Sequence, residues 1–327
     1  MKHKKIITSF LVLLSLLCAI LYYGYLQSVQ NSRQIFVIYI PKIIDETNDF
    51  WTTLTNGARM AATEYNVRLV IEAPDNETDY EGQNAMIREA ILKRPDIIAI
   101  SPIDSEMTAE AVLEAREAGI QVLFIDSTLD SMTEEHVIAT DNYEAGMNMG
   151  NYIRTILDEN SKIAIVSHVK NTSTAIEREQ GLRDALSNSK DQILETVFSD
   201  SNFEKAYFLT LDLLEQNPDI TIIAGLNEYS AVGAGKAIEE LGLAGQVKVI
   251  GFDNSIAAVQ YLESGVFDAL VIQNAFNMGY LGIESAYKIA RNQPVDLFIN
   301  SGCELITRDT MYTKEGQKLL FSFLNET

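Results

Sequence analysis

Ten short β-branched runs alternate along this chain with longer amphipathic stretches, and that rhythm limits the possible folds more than any other feature. The runs are IFVIYI (35–40), RLVIEA (68–73), DIIAIS (96–101), QVLFID (121–126), HVIATD (136–141), KIAIVS (162–167), QILETVF (192–198), ITIIAG (220–225), VKVIGF (247–252) and ALVIQN (269–274). Between them stand helical patterns such as TTLTNGARMAATEYN, SEMTAEAVLEAREAG and YSAVGAGKAIEELG, the last two ending in glycine as helix C-termini often do. Strand–helix alternation predicts an α/β fold with parallel sheets covered by helices. Runs that are apolar throughout predict strands buried on both faces. Ten strands are many for one compact sheet, so two doubly wound lobes of similar size are expected. No Pro/Gly/Ser-rich linker, solenoid repeat or low-complexity tract divides the region after residue 34.

The first residues read as a separate object. Lys2, Lys4 and Lys5 precede a run over residues 6–25 that carries no charge. Twenty apolar residues suffice to cross a bilayer as a helix, and the lysines should stay on the cytoplasmic side. Residues 1–26 therefore read as an N-terminal transmembrane helix of the signal-anchor type, with 27–34 as a polar linker and the remainder extracytoplasmic. A lipoprotein acylated at Cys18 and a cleaved secretory signal are the alternatives. Ser15-Leu16-Leu17 places no small residue just before Cys18, and no small-x-small cleavage site follows the run convincingly. Cys18 and Cys303 cannot pair within one folded domain, so stability must come from the core.

The 327-residue chain has a formal net charge of −21. A nucleic-acid partner would need a basic footprint, and this charge argues against one. The histidines His3, His136 and His168 are scattered, and none stands at metal-ligand spacing from another or from Cys303. There is no G-x-x-x-x-G-K-[ST] loop. No nucleophile–base pair is evident, so no enzyme, metal or cofactor is expected. Asp126 and Asp253 could form a glycosidase-type acid pair only if their separation allowed it.

In open parallel sheets, ligands bind beyond the carboxyl ends of the strands. There the sequence places Ser101, Asp126–Ser127, Asp141–Asn142, Asn227–Glu228, Asp253–Asn254 and Gln273–Asn274. Any one of these could simply cap the following helix. Taken together, they form an edge rich in planar hydrogen-bonding groups, which suits a ligand with many hydroxyls. Phe50 and Trp51 lie at the same edge, in TNDFWTTL. Neighbouring helix positions face different ways, so a single core cannot easily bury both rings. Flat apolar faces beside polar groups are what a sugar ring needs, although one ring in the core and one exposed is the alternative.

The motifs TNDFWTTLTNGA, ISPIDS, FIDS, ATDNYEAG, TSTAIEREQG, GLNEYSAVGAGKA, VIGFDN and ALVIQN, in this order, resemble the type I periplasmic sugar-binding proteins, the ribose-binding group most closely. That family shares its core with the effector domains of LacI-type repressors. The resemblance covers roughly residues 34–310. It implies two Rossmann-like lobes joined by three crossovers, with 35–140 plus 274–301 in the N-terminal lobe and 141–273 plus 302–327 in the C-terminal one. It also implies a ligand set: Asn48, Phe50, Trp51 and Asp126 from the first lobe, and Arg178, Phe203, Asn227, Asp253 and Gln273 from the second. Ser127 stands where ribose readers carry an arginine. A hydroxyl does not replace a bidentate donor, so ribose itself is in doubt. The implied function is capture of a small carbohydrate or polyol in an interlobe cleft and delivery to an ABC-type permease. The alternative is a membrane-anchored sensing subunit that signals to a histidine kinase.

Overall fold

The structure is a computed structural model that describes residues 16–18, 22, 33–132 and 134–321. The chain divides into a unit of Met1–Ile35 and a unit of Phe36–Thr327. The membrane helix expected over residues 1–26 lies almost wholly outside the described residues. Among those that are described, no helix is long and apolar enough to cross a membrane.

The second unit opens with β1 (Phe36–Ile40), α1 (Asp49–Glu64), β2 (Arg68–Ile71), α2 (Tyr80–Lys93), β3 (Ile97–Ile100), α3 (Ala109–Glu117), β4 (Gln121–Ile125) and β5 (His136–Ala139). It continues with α4 (Asn142–Ile156), β6 (Ile163–Ser167), α5 (Ser173–Ala185), β7 (Val197–Phe198), α6 (Phe203–Gln216), β8 (Ile222–Gly225), α7 (Glu228–Glu240), β9 (Lys248–Phe252) and α8 (Ile256–Ser264). It ends with β10 (Phe267–Gln273), α9 (Ala275–Ala290), β11 (Phe298–Asn300), β12 (Cys303–Thr307) and α10 (Lys314–Leu320).

Two six-stranded sheets result, ordered β2-β1-β3-β4-β5-β11 and β7-β6-β8-β9-β10-β12. The five leading strands follow the same doubly wound order in both. The sheets differ in their sixth strand: β11 runs parallel to β5, whereas β12 runs antiparallel to β10. The central apolar runs are buried as their composition demands, while the edge strands β2 and β7 are only partly covered. Ile38, Ile98 and Phe124 pack beneath α2 and α3, and Ile165, Ile222 and Phe252 pack on one face of the second sheet opposite Ile223, Val249 and Leu270 on the other.

The chain passes between the sheets three times, from β5 to α4, from β10 to α9 and from β11 to β12. The helices that follow the first two crossings, α4 and α9, are each pressed through glycine against the helix that follows the first strand of their lobe, α5 and α1 respectively. A Cβ on Gly279 of α9 would stand 1.9 Å from the Leu54 carbonyl oxygen of α1, and one on Gly57 would stand 2.0 Å from that of Phe276. In the second lobe, Cβ atoms on Gly146 of α4 and Gly181 of α5 would each fall 2.1 Å from a backbone oxygen, of Arg178 and Tyr143 respectively.

Three departures from the sequence reading concern strands. The run 192–198 forms only the two-residue β7, with Gln192 closing a 3-10 turn that begins at Ser187 and Ile193 making an isolated bridge to Ile163. The strands β11 and β12 were not anticipated.

Candidate ligand-binding cleft

The carboxyl ends of the two sheets face each other across a small cavity lined by both lobes. The first lobe supplies Lys42, Asn48, Phe50, Trp51, Glu77 and Asp126 to its wall. The second supplies His168, Thr174, Arg178, Asn227, Glu228, Tyr229, Asp253 and Gln273. Eight of the ten residues anticipated from sequence therefore meet around one space.

Asp126 and Asp253 occupy matching places, each the first residue beyond the fourth strand of its lobe. Both have left-handed backbones, with φ of 72° and 69°. Each N–H donates to the next strand, Asp126 to the Ile138 carbonyl (3.0 Å) and Asp253 to that of Val271 (2.8 Å). Asp is among the few side chains that adopt this conformation at modest cost. The turn aims a carboxylate into the cleft from each side.

Asn48 and Asn227 serve two roles at once. The Asn48 Oδ1 accepts from Trp51 N (3.0 Å) and the Asn227 Oδ1 from Ser230 N (2.9 Å), capping α1 and α7. Both residues also line the cavity, so the capping and lining readings are not alternatives here.

Phe50 and Trp51 are both buried and meet edge to face at 5.1 Å. Both can be buried because the second lobe covers what the first leaves open. The Glu228 carboxylate accepts from Asp49 N (3.2 Å) and Phe50 N (3.0 Å), capping α1 from across the cleft. Trp51 Nε1 donates to Glu77 Oε1 (2.6 Å), and Ser201 Oγ of the opposite lobe donates to Glu77 Oε2 (2.7 Å). Tyr229 OH donates to Asp45 Oδ2 (2.8 Å) and Thr128 N to Ser173 Oγ (2.9 Å), so the lobes are closed on one another.

Arg178 is buried over the Phe252 ring at 4.0 Å. Its Nε donates to Asn142 Oδ1 (2.9 Å), Nη1 to the Leu226 carbonyl (2.8 Å) and Nη2 to Gln273 Oε1 (2.9 Å). Gln273 Nε2 donates on to Asp253 Oδ1 (2.8 Å), whose other oxygen accepts from Glu228 N (3.0 Å). Burial pushes the Asp253 carboxyl up, against the pull of Arg178 and Gln273. Burial first and the Asp253 charge second hold Glu228 well above the usual carboxylate range. Glu77 is also raised by burial, with the charge of Lys42 opposing.

Ser127 and Phe203 lie outside the cavity wall. Ser127 Oγ donates to the Pro102 carbonyl (2.9 Å). Phe203 packs behind Tyr229 with ring centroids 4.5 Å apart, and Tyr229 is the aromatic that reaches the cavity. Lys42, Glu77, His168, Thr174 and Tyr229 escaped the sequence reading, and Glu228 was seen at a strand tip without being carried into the site. Lys42 and His168 each follow a strand closely, so the strand-tip rule could have found them. Nothing in the sequence around Glu77 points to the cleft. Among the described residues, no group of His, Cys, Asp and Glu could hold a metal ion.

The sequence model of a family described as the periplasmic binding protein domain matches residues 39–294. The D-ribose/D-allose-binding protein of Pseudomonas aeruginosa is 28% identical over 272 residues, covering 80% of this chain and 85% of its own length. The crystal structure of a sugar transporter from Clostridium phytofermentans is 41% identical with a TM-score of 0.80, covering 84% of this chain and 99% of that one. An ABC transporter solute binding protein from Agrobacterium vitis, with bound D-fucose, is 29% identical with a TM-score of 0.84 over 87% of this chain and 99% of that one.

Proposed function

Since this chain belongs to the periplasmic binding protein family, we propose that it captures a small neutral sugar or polyol between its lobes and presents it to the permease of an ABC transporter. The observation that carries this reading is the facing arrangement of Phe50, Trp51 and Asp126 on one side with Arg178, Asn227 and Asp253 on the other, around one cavity. Rings supply flat apolar contact, while carboxylates and amides accept and donate to hydroxyls. A ligand that touches both lobes binds the closed form better than the open one, and that difference drives closure. The charge balance narrows the ligand further. Glu77, Asp126, Glu228 and Asp253 share the wall with Lys42 and Arg178 as the cations. Lys42 is held by Asp126 at 2.8 Å, and three donors of Arg178 are occupied by protein acceptors. A sugar acid or sugar phosphate would bring a charge that neither cation, each already engaged by protein acceptors, is free to neutralise. The uncharged run over residues 6–25 supports a role as a membrane tether that keeps the receptor beside its permease.

Thermal denaturation of the full-length protein against neutral monosaccharides, polyols and sugar acids tests this reading. A neutral ligand at a hundred times its Kd should stabilise the fold by about 2.7 kcal/mol, and sugar acids should leave the melting temperature unchanged. Stabilisation by a uronic acid or sugar phosphate alone would sink it.

A further inference from the structure

A groove lies where the chain first passes between its lobes. The first lobe lines it with Thr128, Val137 and Phe298, and the second with Tyr143, Ser173 and Glu177. It shares only Asp126 with the ligand cavity, so it is a separate place on the molecule. Thr128 N donates to Ser173 Oγ at 2.9 Å, which ties one side to the other. Phe298 is 49% exposed, Tyr143 44%, and Leu297 beside Phe298 55%. Scattered exposed apolar side chains need no explanation, but rings from both lobes around one groove leave an apolar patch uncovered.

The charged part of the lining is acidic. Asp141 and Glu177 belong to it, and among the described residues no lysine or arginine does. Burial raises the Glu177 carboxyl, with Asp141 and Asp130 adding to it against the pull of Asn142 and Arg178. A cation entering the groove would meet carboxylates and aromatic rings together. Beside the groove runs β11, the last strand of the first sheet, and among the described residues no strand pairs with its outer edge. Val137 N donates to the Leu297 carbonyl (2.7 Å) and Ser301 N to that of Ala139 (2.9 Å), so these groups face β5. By alternation, the main-chain N–H and C=O groups of Phe298 and Asn300 face outward. An edge of this kind accepts an extended peptide as a further strand. The free edge calls for a main chain, and the acidic, ring-lined groove calls for a cation on that chain.

We propose that this groove is a docking site for an extended, basic segment of a partner protein. The segment adds its main chain to the outer edge of β11 and reaches into the groove with an arginine or lysine side chain, which meets Phe298 and Tyr143 as well as Glu177 and Asp141. Arginine fits better, because its planar cation packs on rings and donates in a fork to carboxylates. Charge complementarity decides against an acidic partner. The two walls belong to different lobes, so the closed form holds the segment, whatever fills the ligand cavity.

Fluorescence anisotropy with the full-length protein tests this. The probes are a short labelled peptide of alternating valine and arginine, the same peptide with glutamate for arginine, and two versions of the arginine peptide, N-methylated at its valines or at its arginines. Wild type should bind the arginine peptide and not the glutamate one. Only alternate N–H groups of an added strand face β11, so one methylated version should bind more weakly than the other by on the order of tenfold, the scale of one hydrogen bond. Phe298→Ser and Glu177→Gln should each cost a similar factor. Glu89→Gln, at an exposed position of α2, should cost nothing. If Phe298→Ser does not fold, Glu177→Gln and the methylated peptides decide. No binding of the arginine peptide to wild type at millimolar concentration overturns the proposal. An equal loss at Glu89 and Glu177 overturns it too, since that marks diffuse attraction to a chain of net charge −21. Equal binding of the two methylated versions, or free arginine amide binding as tightly as the peptide, shows a site that takes a small cation without strand addition and overturns it as well.

Discussion

Glu228 is the residue at which folding and function pull against each other. It accepts two backbone N–H groups of α1 from the opposite lobe, yet it is buried beside Asp253, and both facts enter its proton affinity. Its pKa is raised in the folded state. Its contribution to stability is therefore fully present below the ordinary carboxylate pKa near 4.5 and is lost as pH rises through the raised value. Glutamine removes the charge at every pH, at the constant cost of one of the two α1 N–H bonds, since its NH2 cannot accept. Urea unfolding of wild type and Glu228→Gln should give the variant its greatest relative stability near neutral pH, with the gap closing toward pH about 4.5. His168, buried and neutral, acts in the opposite direction in both proteins and cancels from the comparison. Asp253→Asn keeps a side chain that tolerates φ of 69° but removes the charge opposite Arg178. It should leave the fold intact and lower sugar affinity by at least about tenfold, the scale of one charged hydrogen bond, as calorimetry would read. At this scale the sequence was legible where chemistry follows a strand closely, as at Asp126, Asn227, Asp253 and Gln273. It was not legible at Glu77, whose place in the cleft depends on Trp51 Nε1 and on Ser201 from the far lobe. The side chains Ser127 and Phe203 show a related limit. The backbone position follows from the motif, but which way the hydroxyl turns, and which of two stacked rings stands in front, is decided by neighbours.

The elements were legible from the runs that are apolar throughout, and their order gave the doubly wound lobes. The strands that escaped lack such a run. Phe298–Asn300 and Cys303–Thr307 are short and half exposed, and they gain their identity from the sheet edges they join. Conversely, QILETVF carries β-branched residues, but only Val197–Phe198 joins the sheet as a strand, and Ile193 makes a single isolated bridge to Ile163. Helix packing makes a sharper prediction. Gly279→Ala must push a Cβ into the Leu54 carbonyl of α1, where backbone rather than a flexible side chain is in the way. A destabilisation near the upper end of overpacking costs, about 3 kcal/mol, is expected. Gly242→Ala is the control: its φ is +66° but nothing lies within 4 Å, so only backbone strain of about 1 kcal/mol applies. Chemical denaturation midpoints of the two variants check the contrast, and equal losses would show that α1 and α9 yield more easily than their contact implies.

Across the whole molecule, closure should be visible through the single tryptophan. Trp51 is 4% exposed, and its indole N–H is held by Glu77, which Ser201 of the other lobe also grips. Opening the lobes removes that cover, so saturation with ligand should shift the emission of the full chain to shorter wavelength. Unchanged emission at a sugar concentration that calorimetry shows to be saturating would mean that the indole environment is the same in both forms. The guanidinium of Arg178 bonds to Asn142, the first residue of the helix after one crossing, and to Gln273, the last residue of the strand before another. On the proposed function, the grip on the cargo and the pivot of the jaws would be one bonded assembly with no intervening linkage. Any tug a ligand exerted on that cation would then work directly on the axle, and posture would report occupancy at the place where the two halves turn.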